Sequence, residues 1–156
     1  MNDNLAWFRE SLLRVYHLSL MKMALPKVLF RGKEVLQVGV QHPGIAHHIL
    51  AQQPIEFFAL GLFPKLLESI NEAPEIKTSY DLFDGKGLHY PDGAFDVVVS
   101  AGFLENYANS QAMRKMLYQM AEIARDEVVL IETTAPSYQK NPFLRAREAA
   151  YYIDIF

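Results

Sequence analysis

The feature that most constrains this chain is a repeated alternation of short apolar runs with helical segments. Five runs are predicted to be strands, at residues 34–40, 55–60, 76–80, 95–101 and 127–133. Parallel strands need long crossover connections, which are usually helices, so the alternation predicts an open, mostly parallel five-stranded α/β sheet with helices on both faces. With 156 residues and no shift in composition along the chain, we expect one domain spanning residues 1–156.

Helices are predicted between the strands and at both ends of the chain. Leu5, Phe8 and Leu12 begin an amphipathic pattern that Pro26 ends, which predicts an N-terminal helix within residues 1–26. A methionine-rich apolar face predicts another helix over residues 110–125. A last helix over residues 141–156 is expected to start at Asn141 and Pro142, a cap residue followed by proline at the first helical position.

Composition excludes several classes of protein. The chain has no cysteine, so disulfide frameworks, thiolate metal sites and cysteine nucleophiles are ruled out. Its net charge of −3 gives no general attraction to nucleic acid or to an anionic membrane. No apolar run approaches the roughly 20 residues of a membrane-spanning helix, and the first residues do not resemble a signal peptide. We therefore expect a cytoplasmic protein that contacts neither membrane nor nucleic acid.

Three segments carry a resemblance to a known family. Residues 35–44 read VLQVGVQHPG, residues 55–68 read IEFFALGLFPKLLE, and residues 88–105 read LHYPDGAFDVVVSAGFLE. Together they resemble the class I S-adenosylmethionine-dependent methyltransferases over about residues 30–135, most specifically in the run PDGAFDVVVS. The resemblance implies a Rossmann-like core with strand order 3-2-1-4-5. It also implies S-adenosylmethionine as the cofactor, bound at the carboxyl ends of the strands.

The resemblance also implies which positions would contact the cofactor. Six positions match the family's cofactor contacts, namely Gln37, Gly39, Gln41, Gly44, Gly61 and Asp84. Several depart from the family pattern, since Gln37 replaces an acid and Gln41 replaces a glycine. Gly61 replaces the acid that accepts both ribose hydroxyls. Two lost hydrogen bonds to a charged acceptor, at about 1.5–3 kcal/mol each, predict weak or absent cofactor binding.

Other chemistry-bearing residues have two interpretations. Asp84 matches the acid that bonds the adenine amino group, but the pair Asp84–Gly85 is also typical of a simple turn, the interpretation we favour. Asp96 is expected to be structural, because the family carries it irrespective of substrate. The histidines at positions 42, 47, 48 and 89 lack metal-ligand spacing, so no metal site is predicted. No catalytic residue is identified, because methyl transfer depends chiefly on alignment of the reactants.

The carboxyl-terminal end is shorter than the family pattern implies. Family members add two further strands beside the fifth, but only 23 residues follow Thr133 here. The fifth strand would then be an edge with unpaired backbone groups. We expect this edge to be covered by the last helix, or by a second copy or a partner protein that docks on the fifth-strand edge and the C-terminal helix. A further alternative is that the sequence is a piece of a longer protein whose remaining part supplies the missing strands.

Three functions are compatible with these patterns. The favoured one is a methyltransferase-like domain with a degraded cofactor site, acting as a non-catalytic assembly or regulatory subunit. The alternative is an active S-adenosylmethionine-dependent methyltransferase that acts on a small molecule. A third is a binding module that uses the same crevice for another ligand, with the neighbouring histidines favouring an anion.

Overall fold

The computed structural model describes residues 30–70, 75–107 and 109–134. It also describes Gln139–Lys140, Arg145–Ala146 and the single residues Ser19, Met23, Leu25 and Tyr152. The main strands are β1 (Glu34–Val38), β2 (Glu56–Gly61), β3 (Lys77–Leu82), β4 (Phe95–Ala101) and β5 (Ala124–Ile131). The helices are α1 (Pro43–Leu50), α2 (Pro64–Glu68) and α3 (Ser110–Ile123), with a 3-10 helix at Leu104–Asn106.

The five strands form one parallel sheet in the order β3-β2-β1-β4-β5. This confirms the fold class and strand order that the sequence predicted. In the described part of the chain, β3 and β5 are the two edges of this sheet, and no further strand is joined to it. None of the described helices is long and apolar enough to cross a membrane.

Each face of the sheet packs against its own helices, because residues at alternate positions along a strand point to opposite faces. One face carries Val35, Phe57 and Val99 and packs against Ile45 and Ile49 of α1. The other face carries buried residues from β1 and β4 that pack against α3, including Leu36, Val38, Val98, Met113, Leu117 and Met120. The central strands β1, β2 and β4 are therefore buried on both sides, as a parallel sheet requires, whereas the edge strands β3 and β5 are more exposed.

Several element boundaries differ from the prediction. β1 ends at Val38 and not at residue 40, because Gly39 turns the chain with φ of +74°. α3 ends at Ile123, and β5 follows at once from Ala124, which pairs with Phe95. A helix reaching residue 125 and a strand starting at residue 127 were therefore both wrong by a few residues.

The expected last helix is wrong at its beginning. Arg145–Ala146 form a short strand (β7) that pairs antiparallel with Gln139–Lys140 (β6), so residues 145–146 are not part of the predicted helix. This pair is a separate two-stranded sheet. Tyr152 is helical and buried, and the rest of residues 147–156 lies outside the described residues. Most of the predicted N-terminal helix also lies outside them, although Ser19 and Met23 are helical.

Candidate functional site

The turn after β1 is closed by hydrogen bonds and by a buried aromatic ring. The N–H groups of Gly39 and Val40 both donate to the carbonyl of Leu60, at 2.7 and 3.0 Å. A Cβ at Gly39 would lie 1.9 Å from Cγ of Phe103, so only glycine fits there. The side of Gly39 toward which a side chain would project is thus filled by Phe103, which is itself 2% exposed.

Phe103 belongs to a row of three aromatic rings at the carboxyl end of the sheet. Its ring meets Phe83 edge to face at a centroid distance of 5.7 Å, and it meets Tyr107 in the same way at 5.6 Å. Burial raises the pKa of the Tyr107 phenol to about 12. Because edge-to-face pairs are favourable, each ring helps to fix its neighbour. The row therefore holds Phe103 in place against Gly39.

Gln37 lies inside the core beside this turn. It is 1% exposed and pairs in register with Ala59 and Val99, on the sheet face that packs against α1. Its Oε1 is buried with no hydrogen-bond partner among the described residues. An unsatisfied buried acceptor costs about 1–3 kcal/mol, but an unpaired buried carboxylate would cost more. An amide is therefore a less costly occupant of this position than the acid of the family pattern.

Gly61 ends β2 without a side-chain acceptor. A Cβ here would lie 3.0 Å from Cδ2 of Leu67, a side chain of α2 that is 1% exposed. A carboxylate at this position would require Leu67 to move by a few tenths of an ångström. The remaining predicted turn residues are half-buried, with Gln41 between β1 and α1 and Gly44 in the first turn of α1.

Asp84 forms the turn that the adjacent residues Asp84 and Gly85 predicted from the sequence. Its Oδ1 accepts a hydrogen bond from the Lys86 N–H at 2.8 Å, and its Oδ2 lies 3.6 Å from Nε2 of His89. The Lys86 N–H is the main cause of a lowered pKa of the Asp84 carboxyl, and His89 adds to it. Gly85 follows with φ of +79°. The interpretation of Asp84 as a turn residue is confirmed, while its contact with adenine stays a prediction.

Asp84 also lines an open pocket of about 260 Å³ between β3 and the following loop. The pocket is bordered by Leu60, Asp81, Leu82, Phe83, Asp84, Gly87, His89 and Tyr90. Burial, together with the nearby Asp81 carboxylate, raises the pKa of the Tyr90 phenol. Two carboxylates beside aromatic walls suit a neutral or cationic ligand better than an anion.

Asp96 has a structural role at the opposite end of the sheet. Its Oδ2 accepts from the Glu34 N–H at 2.8 Å, and its Oδ1 pairs with the Arg125 guanidinium at 2.6 Å. Arg125 also contacts the Glu34 carboxylate at 3.0 Å and donates to the carbonyls of Gly93 and Ala94. These contacts join the amino ends of β1, β4 and β5, which confirms that Asp96 supports the sheet.

The histidines do not converge. His47 Nε2 lies 3.2 Å from the carbonyl oxygen of Ser69, whereas His89 lies beside Asp84. Within the described residues there is no group of three His, Cys, Asp or Glu side chains that could hold a metal ion.

Sequence reasoning missed a buried polar pair at the carboxyl ends of β4 and β5. The hydroxyl of Ser100 donates to Oε1 of Glu132 at 2.7 Å, and Ser100 is fully buried. Burial raises the pKa of Glu132 to about 7. The signal in the sequence was a single acid directly after the apolar run VVLI. Phe103 was missed as well, because nothing in the sequence marks one aromatic residue among 19 as the neighbour of Gly39.

Comparison with known proteins gives a consistent picture of the fold. No family model matches the sequence. The chain is 27% identical over 106 residues to ajmaline N-methyltransferase of Rauvolfia serpentina, an alignment that covers 65% of this chain and 35% of that protein. The chain thus spans about a third of the length of this curated relative.

Solved structures agree with the sequence resemblance. A complex of the Haloferax volcanii Trm112 methyltransferase activator with its methyltransferase partner matches with a TM-score of 0.72 and 19% identity, over 97% of this chain and 71% of that chain. Phosphoethanolamine N-methyltransferase 1 of Haemonchus contortus matches with a TM-score of 0.69 and 16% identity, over 85% of this chain and 32% of that chain. The YcgJ protein of Bacillus subtilis matches with a TM-score of 0.67 and 15% identity, over 90% and 65%.

At these identities the structural matches establish the fold, and the sequence match to a curated methyltransferase points the same way. The chain therefore has the Rossmann-like fold of the class I S-adenosylmethionine-dependent methyltransferases, and the sequence match supports the resemblance to that family.

Proposed function

We propose that this chain is a non-catalytic methyltransferase-like domain that acts as an assembly or regulatory subunit. The observation that carries the proposal is the position of Phe103, which is packed so tightly against Gly39 that a Cβ would lie 1.9 Å from its ring. A cofactor lying along this turn needs to approach the bare backbone of the glycine. Here the ring excludes a ligand from that side of Gly39.

The end of β2 supports the same proposal. Gly61 offers no side-chain acceptor to a ribose, and the space beyond it is occupied by Leu67 at 3.0 Å from a Cβ position. Gln37 adds a neutral, buried amide where a charge would assist cofactor binding. Three separate contacts with S-adenosylmethionine are therefore weakened or lost in this crevice.

The thermal unfolding midpoint with and without millimolar S-adenosylmethionine tests the proposal. A ligand present at a hundred times its Kd stabilises the folded state by about 2.7 kcal/mol, which is readily measured. We expect no change in the midpoint. A saturable increase would show a working cofactor site and would contradict the proposal.

One observation favours the active enzyme as a second candidate. Asp84 and Phe83 border an open pocket of about 260 Å³ at the end of the crevice where the family binds adenine. The curated relative is an N-methyltransferase, so a nitrogen in a small molecule would be the methyl acceptor under this alternative. Incubation with radiolabelled S-adenosylmethionine and a panel of small amines tests this candidate directly.

The proposed subunit needs a partner, and we assign the docking site to the β5 edge and the chain that follows it. In the described residues β5 pairs only with β4, so its other edge has backbone groups free for a further strand. The partner is either a second copy or another protein. The structural similarity to a methyltransferase held by an activator is compatible with such an arrangement.

A further inference from the structure

Strand β3 is an edge of the sheet and is exposed along its carboxyl half. In the described part of the chain β3 pairs only with β2. Tyr80 is 45% exposed and Leu82 is 56% exposed, and both border a groove of about 320 Å³ between β3 and α2. Free backbone groups beside exposed apolar side chains favour pairing with another strand, so this edge is a candidate interaction surface.

The backbone of β3 shows which of its residues can bond to a further strand. The N–H of Phe83 donates to the carbonyl of Gly61 in β2 at 2.8 Å. Successive residues of a strand direct their backbone groups to opposite edges, so the odd-numbered residues of β3 bond toward β2, as Phe83 does. The N–H and C=O groups of Thr78, Tyr80 and Leu82 therefore point outward, away from β2.

The sequence of β3 is complementary to itself in one antiparallel register. When β3 meets a second copy with a two-fold axis at Ser79, Thr78 lies opposite the partner's Tyr80, and the outward backbone groups of both form hydrogen bonds. Lys77 then lies opposite the partner's Asp81, in a non-hydrogen-bonded pair, where side chains approach most closely. Because the axis repeats each contact, the two strands gain two ion pairs between opposite charges.

The two faces of the paired strands match as well. Leu82 lies in register with Gly61, and Ile76, the residue before β3, packs against the core on the same face of the sheet. Directly opposite residues of antiparallel strands share a face, so Leu82 meets the partner's Ile76 and its exposed surface is covered. On the other face Lys77 already contacts the carboxylate of Glu56, which leaves its ammonium between two carboxylates in the pair.

Neighbouring registers lose this complementarity. Moving the axis one residue toward the amino end places Glu75 opposite the partner's Asp81, two like charges. Moving it one residue toward the carboxyl end places Ile76 opposite the partner's Asp84 and leaves Lys77 without an opposite carboxylate. Like charges directly opposite each other are destabilising, so the charges of β3 select one register among these.

We propose that two copies of this chain pair antiparallel through β3, with the two-fold axis at Ser79, so that their two five-stranded sheets become one continuous sheet. A two-fold contact of this kind closes at two copies. Strand β5 stays at the outer edge of each copy, where a different partner can dock. The inference therefore goes beyond the proposed function and does not depend on the state of the cofactor site.

Sedimentation equilibrium of the full chain tests the pairing through its charges. The wild type should reach twice the 17.8 kDa of one chain. Asp81→Lys sets like charges opposite each other at both ion pairs and should raise the dimer Kd by at least about tenfold, as should Lys77→Asp. Glu127→Lys, which changes an exposed acid on the β5 edge, is the control and should leave the Kd unchanged.

A mixture of the two variants separates charge pairing from a general loss of structure. In an equimolar mixture of Asp81→Lys and Lys77→Asp, each strand meets the opposite charge at both ion pairs. The mixture should therefore recover the mass of a dimer, although each variant alone stays mostly monomeric.

A single cysteine measures the register and does not depend on the folding of Lys77→Asp, which also loses its contact with Glu56. The chain has no cysteine, and Ser79→Cys would lie opposite its own copy at a Cα separation of about 4.5 Å, which permits a disulfide. Under mild oxidation this variant should form a covalent dimer at least about tenfold faster than Glu127→Cys on the β5 edge.

Three results would each overturn the inference. The first is a wild-type chain that sediments as a monomer at high concentration. The second is a dimer whose Kd is unaffected by Asp81→Lys. The third is a Ser79→Cys variant that forms a covalent dimer no faster than Glu127→Cys.

Discussion

The position of Gly39 requires glycine for two reasons, because its φ is positive and because it has no room for a side chain. The backbone has φ of +74°, and a Cβ would lie 1.9 Å from the Phe103 ring. Such a Cβ would force Phe103 away from Phe83 and Tyr107, with which it packs edge to face. The turn after β1 is thus fixed both by its own conformation and by the aromatic row above it.

Replacing Gly39 by alanine should therefore be strongly destabilising. The strained φ and the overpacking together predict a loss of about 3 kcal/mol in the free energy of unfolding, measured by urea denaturation. Gly32→Ala is the matched control, since Gly32 has a similar φ of +71° but nothing within 4 Å of its Cβ position. It should lose only about 1 kcal/mol, and equal losses in the two variants would refute the packing argument.

The raised pKa of Glu132 predicts how the free energy of unfolding depends on pH. Its pKa rises from 4.5 to about 7 on folding. Below the unfolded-state pKa the group is protonated in both states, so it has no effect there. As the pH rises from there to about 7 only the unfolded state releases the proton, and stability should fall by about 3 kcal/mol before levelling off.

Urea unfolding midpoints of the wild type should decrease across this pH range. In Glu132→Gln the part of this decrease that comes from Glu132 should be absent. A wild-type curve that rises over the same range, with no difference between the two proteins, would show that Glu132 is solvated.

At the scale of elements, the amino ends of three strands are joined by Asp96 and Arg125. Asp96 accepts from the Glu34 backbone of β1 and pairs with Arg125 of β5 while belonging to β4. The Arg125 side chain is 49% exposed, so solvent screens its ion pairs and the Asp96–Glu34 backbone bond should contribute more.

Asp96→Ala should consequently cost about 2 kcal/mol of folding free energy, because a charged acceptor to a backbone N–H is removed. Asp92→Ala, an exposed acid in the preceding turn, should change stability by less than about 0.5 kcal/mol. Denaturant titration of both variants gives the comparison. If Asp96→Ala were as stable as Asp92→Ala, the assignment of Asp96 as a link between strands would be wrong.

Strands and helices could be predicted where the sequence pattern that marks them is local. The five strands follow from apolar runs, and the sheet order follows from the family resemblance, so both could be predicted from the sequence. Boundaries failed where a long-range contact decides them, as at β5, whose first residues pair with Phe95 and bind Asp96 through Arg125. The pairing of Arg145–Ala146 with Gln139–Lys140 overrode a helical pattern for the same reason.

The site was predicted less completely than the fold. Gly39, Gly61 and Asp84 could be singled out because the resemblance assigns them positions in the sequence, and their contact with a cofactor stays a prediction. Phe103 and Glu132 were not, since each acts through a neighbour far away along the chain, at Gly39 and at Ser100. Contacts of this kind depend on which strands become neighbours, and a local pattern does not contain that information.

At the scale of the whole molecule, the proposed assembly through β5 makes a prediction about association. An uncovered edge strand favours pairing with another chain, so the mass from light scattering should rise above the 17.8 kDa of one chain as concentration increases. A partner protein that covers the edge should suppress this increase. A mass that stays at the monomer value at every concentration would argue against self-pairing through this edge.

We propose that the crevice has the methyltransferase fold but does not hold the methyl donor. Titration calorimetry of the wild-type chain with S-adenosylmethionine, beside Gly61→Asp with Phe103→Ala in one double variant, measures this directly. We expect no saturable heat for the wild type and measurable binding for the double variant. Saturable binding of S-adenosylmethionine to the wild-type chain would contradict it.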